Sequence, residues 1–408
     1  MRRLSTFALG AALVALPGMA GASVASAAGA RSVPNSHRYV HVCAAPAEGD
    51  AACNAILAET VDRYGRPTPA SSPSGFDPVD LISAYNLPSA TAGSGQTIAV
   101  VDAYNDPYAE SDLGVYRSQF GLAACTTANG CFRKVNQNGG TKYPKSNGGW
   151  SQEISLDLDM VSAICPNCHI LLVEASSSSL ANLGTAVNRA VTMGANEISN
   201  SYGGSESSSD PSYDSAYYDH PGIAITVSSG DGGYGVEYPA ASQYVTAVGG
   251  TSLVRDSATS RGWSETVWST SLTEGAGSGC SAYDAQPSWQ GNVSNITTVC
   301  ARRAVADVSA VADPATGVSV YDSYRYQGLS GWLVFGGTSV ASPIIASVYA
   351  LAGNAAAVTY GSYPYGQTGS LNDVTLGSTA SCGSDLCTAA PGWDGPTGLG
   401  TPNGSSGF

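Results

Sequence analysis

Ser339 stands in the string GGTSVASP, from Gly336 to Pro343, at the head of an apolar stretch with helical character. A serine hydroxyl becomes a nucleophile when a neighbouring base takes its proton. Imidazole is the usual base, but none of His37, His41, His169 and His220 is followed by the glycine its usual motif requires. The chain offers carboxylates instead. Glu153 and Asp157 are four residues apart in EISLD, which puts them on one face of a helix. Ile154, Leu156, Leu158, Met160 and Val161 surround them. Apolar surroundings and mutual repulsion raise the pKa of one carboxyl group, and such a group can serve as a base in mildly acidic solution. Asp231 lies in SSGDGG, Ser228 to Gly233. Each feature alone has a plainer reading: a helix-capping serine, a solvated acidic face, a turn aspartate.

The elements around these residues read as α/β. Thr97 to Val101 is a β-branched run ending at Asp102, and His169 to Val173, Ile198 to Ser201, Ile223 to Val227 and Val245 to Val248 are further short apolar runs. Residues 152–163 have helical character, and Leu180, Leu183, Ala186, Val187, Ala190 and Val191 recur at helical spacing. Alternation of this kind predicts a doubly wound, mostly parallel central sheet flanked by helices. Functional groups in such sheets gather at the carboxyl ends of strands, where Asp102, Ser199 to Ser201 and the SSGD run all fall. Without a histidine to orient, Asp102 reads as a structural or loop-anchoring residue. Pro343 is expected in the first turn of the serine's helix, where proline is tolerated. Residues 255–300 read as a loop-like surface carrying Trp263, Trp268 and Trp289 among glycine and serine.

The 408 residues carry a formal net charge of −14, with 12% charged residues and 43% hydrophobic ones. This disfavours a nucleic-acid partner, whose phosphates need clustered Lys and Arg. Residues 1–27 read as a secretory signal peptide, with Arg2 and Arg3, an apolar core and Ala25-Ser26-Ala27. The expected protein is thus secreted and extracellular, free of the membrane after signal removal, and monomeric. Residues 28–76 read as a short pro-segment or linker, and 77–408 as the main domain. The ten cysteines fall as near neighbours, so five local bridges is the simplest pairing, although spacing leaves connectivity open. Cys165-Pro-Asn-Cys168 could also be a redox or zinc motif, a weaker reading in a secreted chain.

GGTSVASP, EISLD and SSGDGG, in combination with PGWDGPTGLGTPNG (Pro391 to Gly404) after Asn372-Asp373-Val374, resemble the sedolisin family from about residue 77 to the end. These are serine-carboxyl peptidases with a subtilisin-like fold. The resemblance implies a serine endopeptidase acting on protein or peptide substrates in acid, with Ser339 as nucleophile, Glu153 as base, Asp157 coupled to it and Asp231 stabilising the oxyanion. It implies that Ser201, Tyr202 and Gly203 line the substrate backbone. It also implies a Ca²⁺ site from the carboxylates of Asp373 and Asp394 and the carbonyls of Val374, Ala390 and Gly392, all oxygen ligands suited to a hard cation. Turn capping is the plain alternative for the two aspartates. Family members commonly carry a pro-domain of a couple of hundred residues, far more than residues 28–76 supply. A catalytically silent binding or structural protein on the same fold is therefore the competing reading.

Overall fold

The computed structural model describes residues 36–408. The signal-peptide reading of residues 1–27 lies outside the described residues. The centre is an eight-stranded sheet. Its strands run in the spatial order Trp263–Val267, Thr246–Arg255, Ala224–Ser228, Glu197–Asn200, Thr97–Ala103, His169–Ala175 and Phe132–Asn136, and Val308–Val311 also pairs with Thr246–Arg255. All pairings are parallel except that of the Trp263–Val267 edge strand. Ile98 to Val101 and Ile170 to Val173 are buried, as expected of parallel strands covered on both faces. The sequence expectation of a doubly wound sheet flanked by helices holds.

Two helices position the residues of interest. The acid helix spans Gly148–Ile164 and starts at Asn147, whose side chain accepts the Trp150 N–H at 3.2 Å. Every residue from Gly149 to Ile164 is buried. Glu153, Asp157 and Asp159 therefore lie in the interior, and the solvated-face alternative fails. The serine helix spans Thr338–Ala352, follows Gly337 and ends at Gly353 in a left-handed conformation. It packs against the acid helix and over the central strands.

Pro343 sits in the interior of this helix, not in its first turn. A proline there has no N–H for the carbonyl four residues earlier. That carbonyl belongs to Ser339, and the Ser201 hydroxyl, whose one proton is shared with the nearer Asp157 Oδ1 at 2.7 Å, lies 3.3 Å from it.

Residues 36–76 were expected to stand outside the core. Part of this segment is instead built into the compact unit. Ser36–His41 pairs antiparallel with Ile56–Val61, whose Ile56 and Leu57 pair with Gly336 and Phe335 at the end of the Leu329–Gly336 strand. Between them, Ala52–Cys53 pairs antiparallel with the Tyr202–Ser205 strand. The reason is apolar burial: Ile56, Leu57 and Val61 are buried with the core.

Residues 255–300 are also more ordered than expected. They contain the Trp263–Val267 and Glu274–Cys280 strands, and Trp263 and Trp268 are buried. The glycines of Glu274–Cys280 weaken its strand pattern. They are needed because a Cβ on Gly277 would collide with the backbone of Ser229 and Gly230. All five local disulfides form: Cys43–Cys53, Cys125–Cys131, Cys165–Cys168, Cys280–Cys300 and Cys382–Cys387.

The interior holds carboxyl groups without a compensating cation. Both oxygens of Glu197, on a central strand, lack a hydrogen-bond partner, and burial pushes this group up to about 8. Burial also raises Asp322 to about 8, with Asp106 and Asp112 adding to the effect. The folded state thus holds protons that the unfolded chain releases above the ordinary carboxylate range. The resulting stability is fully present in acid and is lost as pH rises towards about 8. Thermal unfolding should show a lower Tm at pH 8 than at pH 5. Glu197→Gln should shrink that difference, whereas an equal or larger pH dependence in the variant would contradict the assignment.

Candidate active site

The serine and acid helices bring Ser339 and Glu153 into contact. Ser339 Oγ donates to Glu153 Oε2 at 2.9 Å, and the Ser201 carbonyl oxygen is a second acceptor at 3.2 Å. The other glutamate oxygen, Oε1, and Asp157 Oδ2 have no further partner. The two carboxyl groups interact directly, so a single shared proton can satisfy both. Asp157 Oδ1 accepts the Ser201 hydroxyl at 2.7 Å. Ser201 therefore links the acid pair to the serine's own carbonyl.

Glu153 is held well above the usual carboxylate range by burial, then by Asp157 and by Asp102. The Ser339 hydroxyl opposes that shift. Asp157 is raised by burial and by Asp102. Asp102 was expected to play a structural or loop-anchoring role. Both of its oxygens are buried without a hydrogen-bond partner, and its charge acts on both members of the pair. It is a third acid behind them, not an anchor. A strand-end position in the sequence does not disclose what the carboxyl group will face.

Asp231 contacts Thr338, the residue before the serine. Its Oδ1 accepts the Thr338 N–H and the Thr338 hydroxyl, both at 2.8 Å. Its Oδ2 is buried with no partner. Burial raises Asp231 well above its ordinary pKa, while the Thr338 bonds pull the other way. A protonated Oδ2 would be a hydrogen-bond donor beside the Ser339 backbone N–H.

The point between these donors can be located. Gly337 has φ +90°, and a Cβ there would meet both the Asn54 carbonyl oxygen and Asp231 Oδ2. The Asn54 oxygen accepts the Ser339 N–H at 3.2 Å. A carbonyl oxygen thus already sits among the donors. The Ser201 carbonyl faces Ser339 Oγ, and Tyr202 and Gly203 pair with Cys53 and Ala52 just before Asn54. Tyr202 directs its hydroxyl to Asn200 Oδ1 at 2.8 Å and is buried, so this segment offers mainly backbone. The sequence reasoning missed Asn54 and Glu237, which adjoin this point: Asn54 Nδ2 donates to Ser228 Oγ, in the strand-end SSGD run, at 2.9 Å and to Glu237 Oε2 at 3.2 Å. Neither Asn54 nor Glu237 carried a signal.

The subtilase family profile matches residues 127–362. This chain belongs to the subtilase family, within its sedolisin branch. It is 31% identical to kumamolisin of Bacillus sp. (strain MN-32) over 82% of this chain and 63% of that protein. It is 28% identical to sedolisin of Pseudomonas sp. (strain 101) over 81% of this chain and 60% of that protein. The chain therefore spans less than two thirds of the length of these relatives. The solved structure of Pseudomonas sedolisin, a serine-carboxyl proteinase complexed with pseudo-iodotyrostatin, matches with a TM-score of 0.68 and 27% identity, covering 82% of this chain and 96% of that one.

The residues expected to hold calcium form one loop cluster. Asp373 Oδ2 accepts the Gly392 N–H at 2.9 Å, and Asp394 Oδ2 accepts the Ala390 N–H at 3.2 Å. Asp394 is buried, and its pKa is raised to about 7 by burial, with the Asp373 charge adding to it. Asp394 Oδ1 also accepts the Thr397 N–H at 2.9 Å and its hydroxyl at 2.8 Å, so these aspartates cap turns, while their carboxylate oxygens are of the hard kind that a cation such as Ca²⁺ takes.

Gly337 is the tightest position at this site. Gly337→Ala adds a Cβ at positive φ against two oxygens, and should destabilise the fold by about 1–3 kcal/mol or more. Urea unfolding checks this; a loss below about 0.5 kcal/mol, the range of neutral surface changes, would contradict it.

Proposed function

We propose that this chain is a secreted serine-carboxyl endopeptidase that cleaves protein or peptide substrates in acid. The observation carrying the reading is the 2.9 Å bond from Ser339 Oγ to Glu153 Oε2, with the Ser339 N–H and Asp231 facing one carbonyl position. Ser339 Oγ attacks the peptide carbonyl as Glu153 takes its proton, and an acyl-enzyme forms. Asp157, backed by Asp102, keeps the glutamate's proton affinity high. The developing oxyanion receives hydrogen bonds from the Ser339 N–H and from protonated Asp231. Glu153 returns its proton to the leaving amine, and water completes hydrolysis. Ser201, Tyr202 and Gly203 hold the substrate backbone as an added strand. Ser339 is buried beneath its own chain, which favours a silent binding protein as the second reading.

The pH profile follows from the two proton positions. Glu153 must be able to accept a proton, which fails when the acid pair is fully protonated. Asp231 must keep its proton, which fails as pH rises through its raised pKa. Casein digestion should give a bell-shaped profile in acid. Ser339→Ala and Glu153→Gln should each lower the rate by about 10³-fold or more. Asp231→Asn should cost about 10²-fold but move the alkaline limb upward, because an amide donates without titrating. A maximum above neutrality, or full activity in Ser339→Ala, would remove the assignment.

Calcium is proposed as a structural ion on Asp373 and Asp394 with the carbonyls of Val374, Ala390 and Gly392. It supplies charge compensation to the loop and takes no part in the peptide chemistry. A chelator should lower the Tm, and added Ca²⁺ should restore it; an unchanged transition contradicts the site.

A further inference from the structure

Four carboxyl groups outside the Ser339 site gather from three separate stretches of the chain. Glu206 follows the Tyr202–Ser205 strand. Asp210 opens a short helix, Asp210–Tyr213, and Asp214 opens the turn Asp214–Tyr218 that continues it. Asp284 lies beyond the Glu274–Cys280 strand, in the loop that Cys280–Cys300 closes. One carboxylate oxygen each from Glu206, Asp210 and Asp284 lies within 4.8 Å of the other two. Oxygens held about 2.3–2.6 Å from one Ca²⁺ stand at most about 5 Å apart, so a single ion can reach all three.

The hydrogen bonding leaves ligand capacity at this point. Glu206 accepts the Ser281 hydroxyl and, at 3.1 Å, the Ala282 N–H. Asp210 accepts the Ser207 N–H at 2.8 Å and the Ser207 hydroxyl at 2.9 Å. Each of these oxygens keeps a second lone pair. Asp284 differs: it is 1% exposed, and neither of its carboxylate oxygens has a hydrogen-bond partner. Asp214, which interacts directly with Asp284, accepts the Tyr238 hydroxyl on Oδ1 at 3.0 Å, and its Oδ2 has no partner. Among the described residues, none of the four carboxylates joins an ion pair. The Arg302 charge acts on Glu206, but its guanidinium donates to the Tyr283 carbonyl.

A buried carboxyl group without donors needs a proton or a cation. A proton shared by Asp214 and Asp284 would neutralise that pair alone. It would leave Glu206 and Asp210 drawn to the same point with nothing to hold them there. One divalent ion accounts for all three converging oxygens. The ligands are carboxylates, without thiol or imidazole, which favours a hard cation over zinc. Ca²⁺ tolerates irregular geometry, whereas Mg²⁺ demands a near-ideal octahedron and keeps several waters.

We propose that Glu206, Asp210 and Asp284 form a Ca²⁺ site distinct from the Asp373–Asp394 loop, with Asp214 adding negative charge behind Asp284. The ion fastens the end of the Tyr202–Ser205 strand, which begins beside Ser201, to the helix that follows and to the disulfide-closed loop.

The test is to strip the purified full chain with a chelator at about pH 7 and measure radiolabelled Ca²⁺ binding by equilibrium dialysis. The titration runs to about 5 mM, above the range of about 10⁻⁴–10⁻³ M typical of Kd values for extracellular Ca²⁺ modules. Asp284→Asn should bind one Ca²⁺ fewer per chain than the unaltered protein, and Asp394→Asn should retain this ion. Glu206→Gln, at the half-buried rim, should weaken the same ion by about tenfold or more, and it decides the matter if Asp284→Asn does not fold. Unchanged count and affinity in these two variants overturn the site and leave Asp214 and Asp284 sharing a proton. Displacement of the ion by an equal concentration of Mg²⁺ overturns the choice of Ca²⁺.

Discussion

Taking a carboxyl group out of water favours its protonated form, and the arrangement around Ser339 depends on that single constraint. Glu153, Asp157 and Asp102 are enclosed with no cation among the described residues beside them, so protons must do the neutralising. The same enclosure acts on Asp231 from the other side of the serine. A solvated version of these residues would be a set of ordinary anions, repelling one another and donating nothing. The sheet and the two buried helices supply the dry interior that makes four aspartates and glutamates chemically unlike one another.

Close backbone approach is the second requirement, and it follows from the first. Groups sealed from water can meet only where no side chain stands between their backbones. Gly337 leaves that room at the start of the serine helix, and Gly277 lets a neighbouring strand press on the Ser229–Gly230 backbone. Pro343 removes a hydrogen bond from the helix interior, and the Ser201 hydroxyl lies between the freed Ser339 carbonyl at 3.3 Å and Asp157 Oδ1 at 2.7 Å, its one proton shared between them. One hydroxyl thereby ties the geometry of Ser339 to that of the acids.

Much of this was legible in the chain. The β-branched runs became central strands because their burial on both faces leaves an unbroken apolar pattern. Glu153 of EISLD meets Ser339, and Asp231 of SSGDGG meets Thr338 beside it. Other parts had no local signature. Ala52–Cys53 is only two residues long, and its partner lies about 150 residues later, so no periodicity marks it. The Glu274–Cys280 strand is obscured by the glycines its packing requires. Asp102 reads as a strand-end residue, and its influence on Glu153 exists only once the acid helix has crossed that strand end. Local pattern reports which face of an element is apolar, but not which distant group will share its pocket.

The buried acids outside the site have a consequence of their own. Glu197 and Asp322 are enclosed in the sheet and its surroundings, and neither belongs to the acid pair. Towards hydrogen ions the folded molecule behaves as a receptor with several internal sites that the open chain lacks. Because those sites are made and lost together when the fold closes or opens, proton occupancy is cooperative across the molecule. The folded population therefore responds to acidity more steeply than the titration of any one carboxyl group would allow.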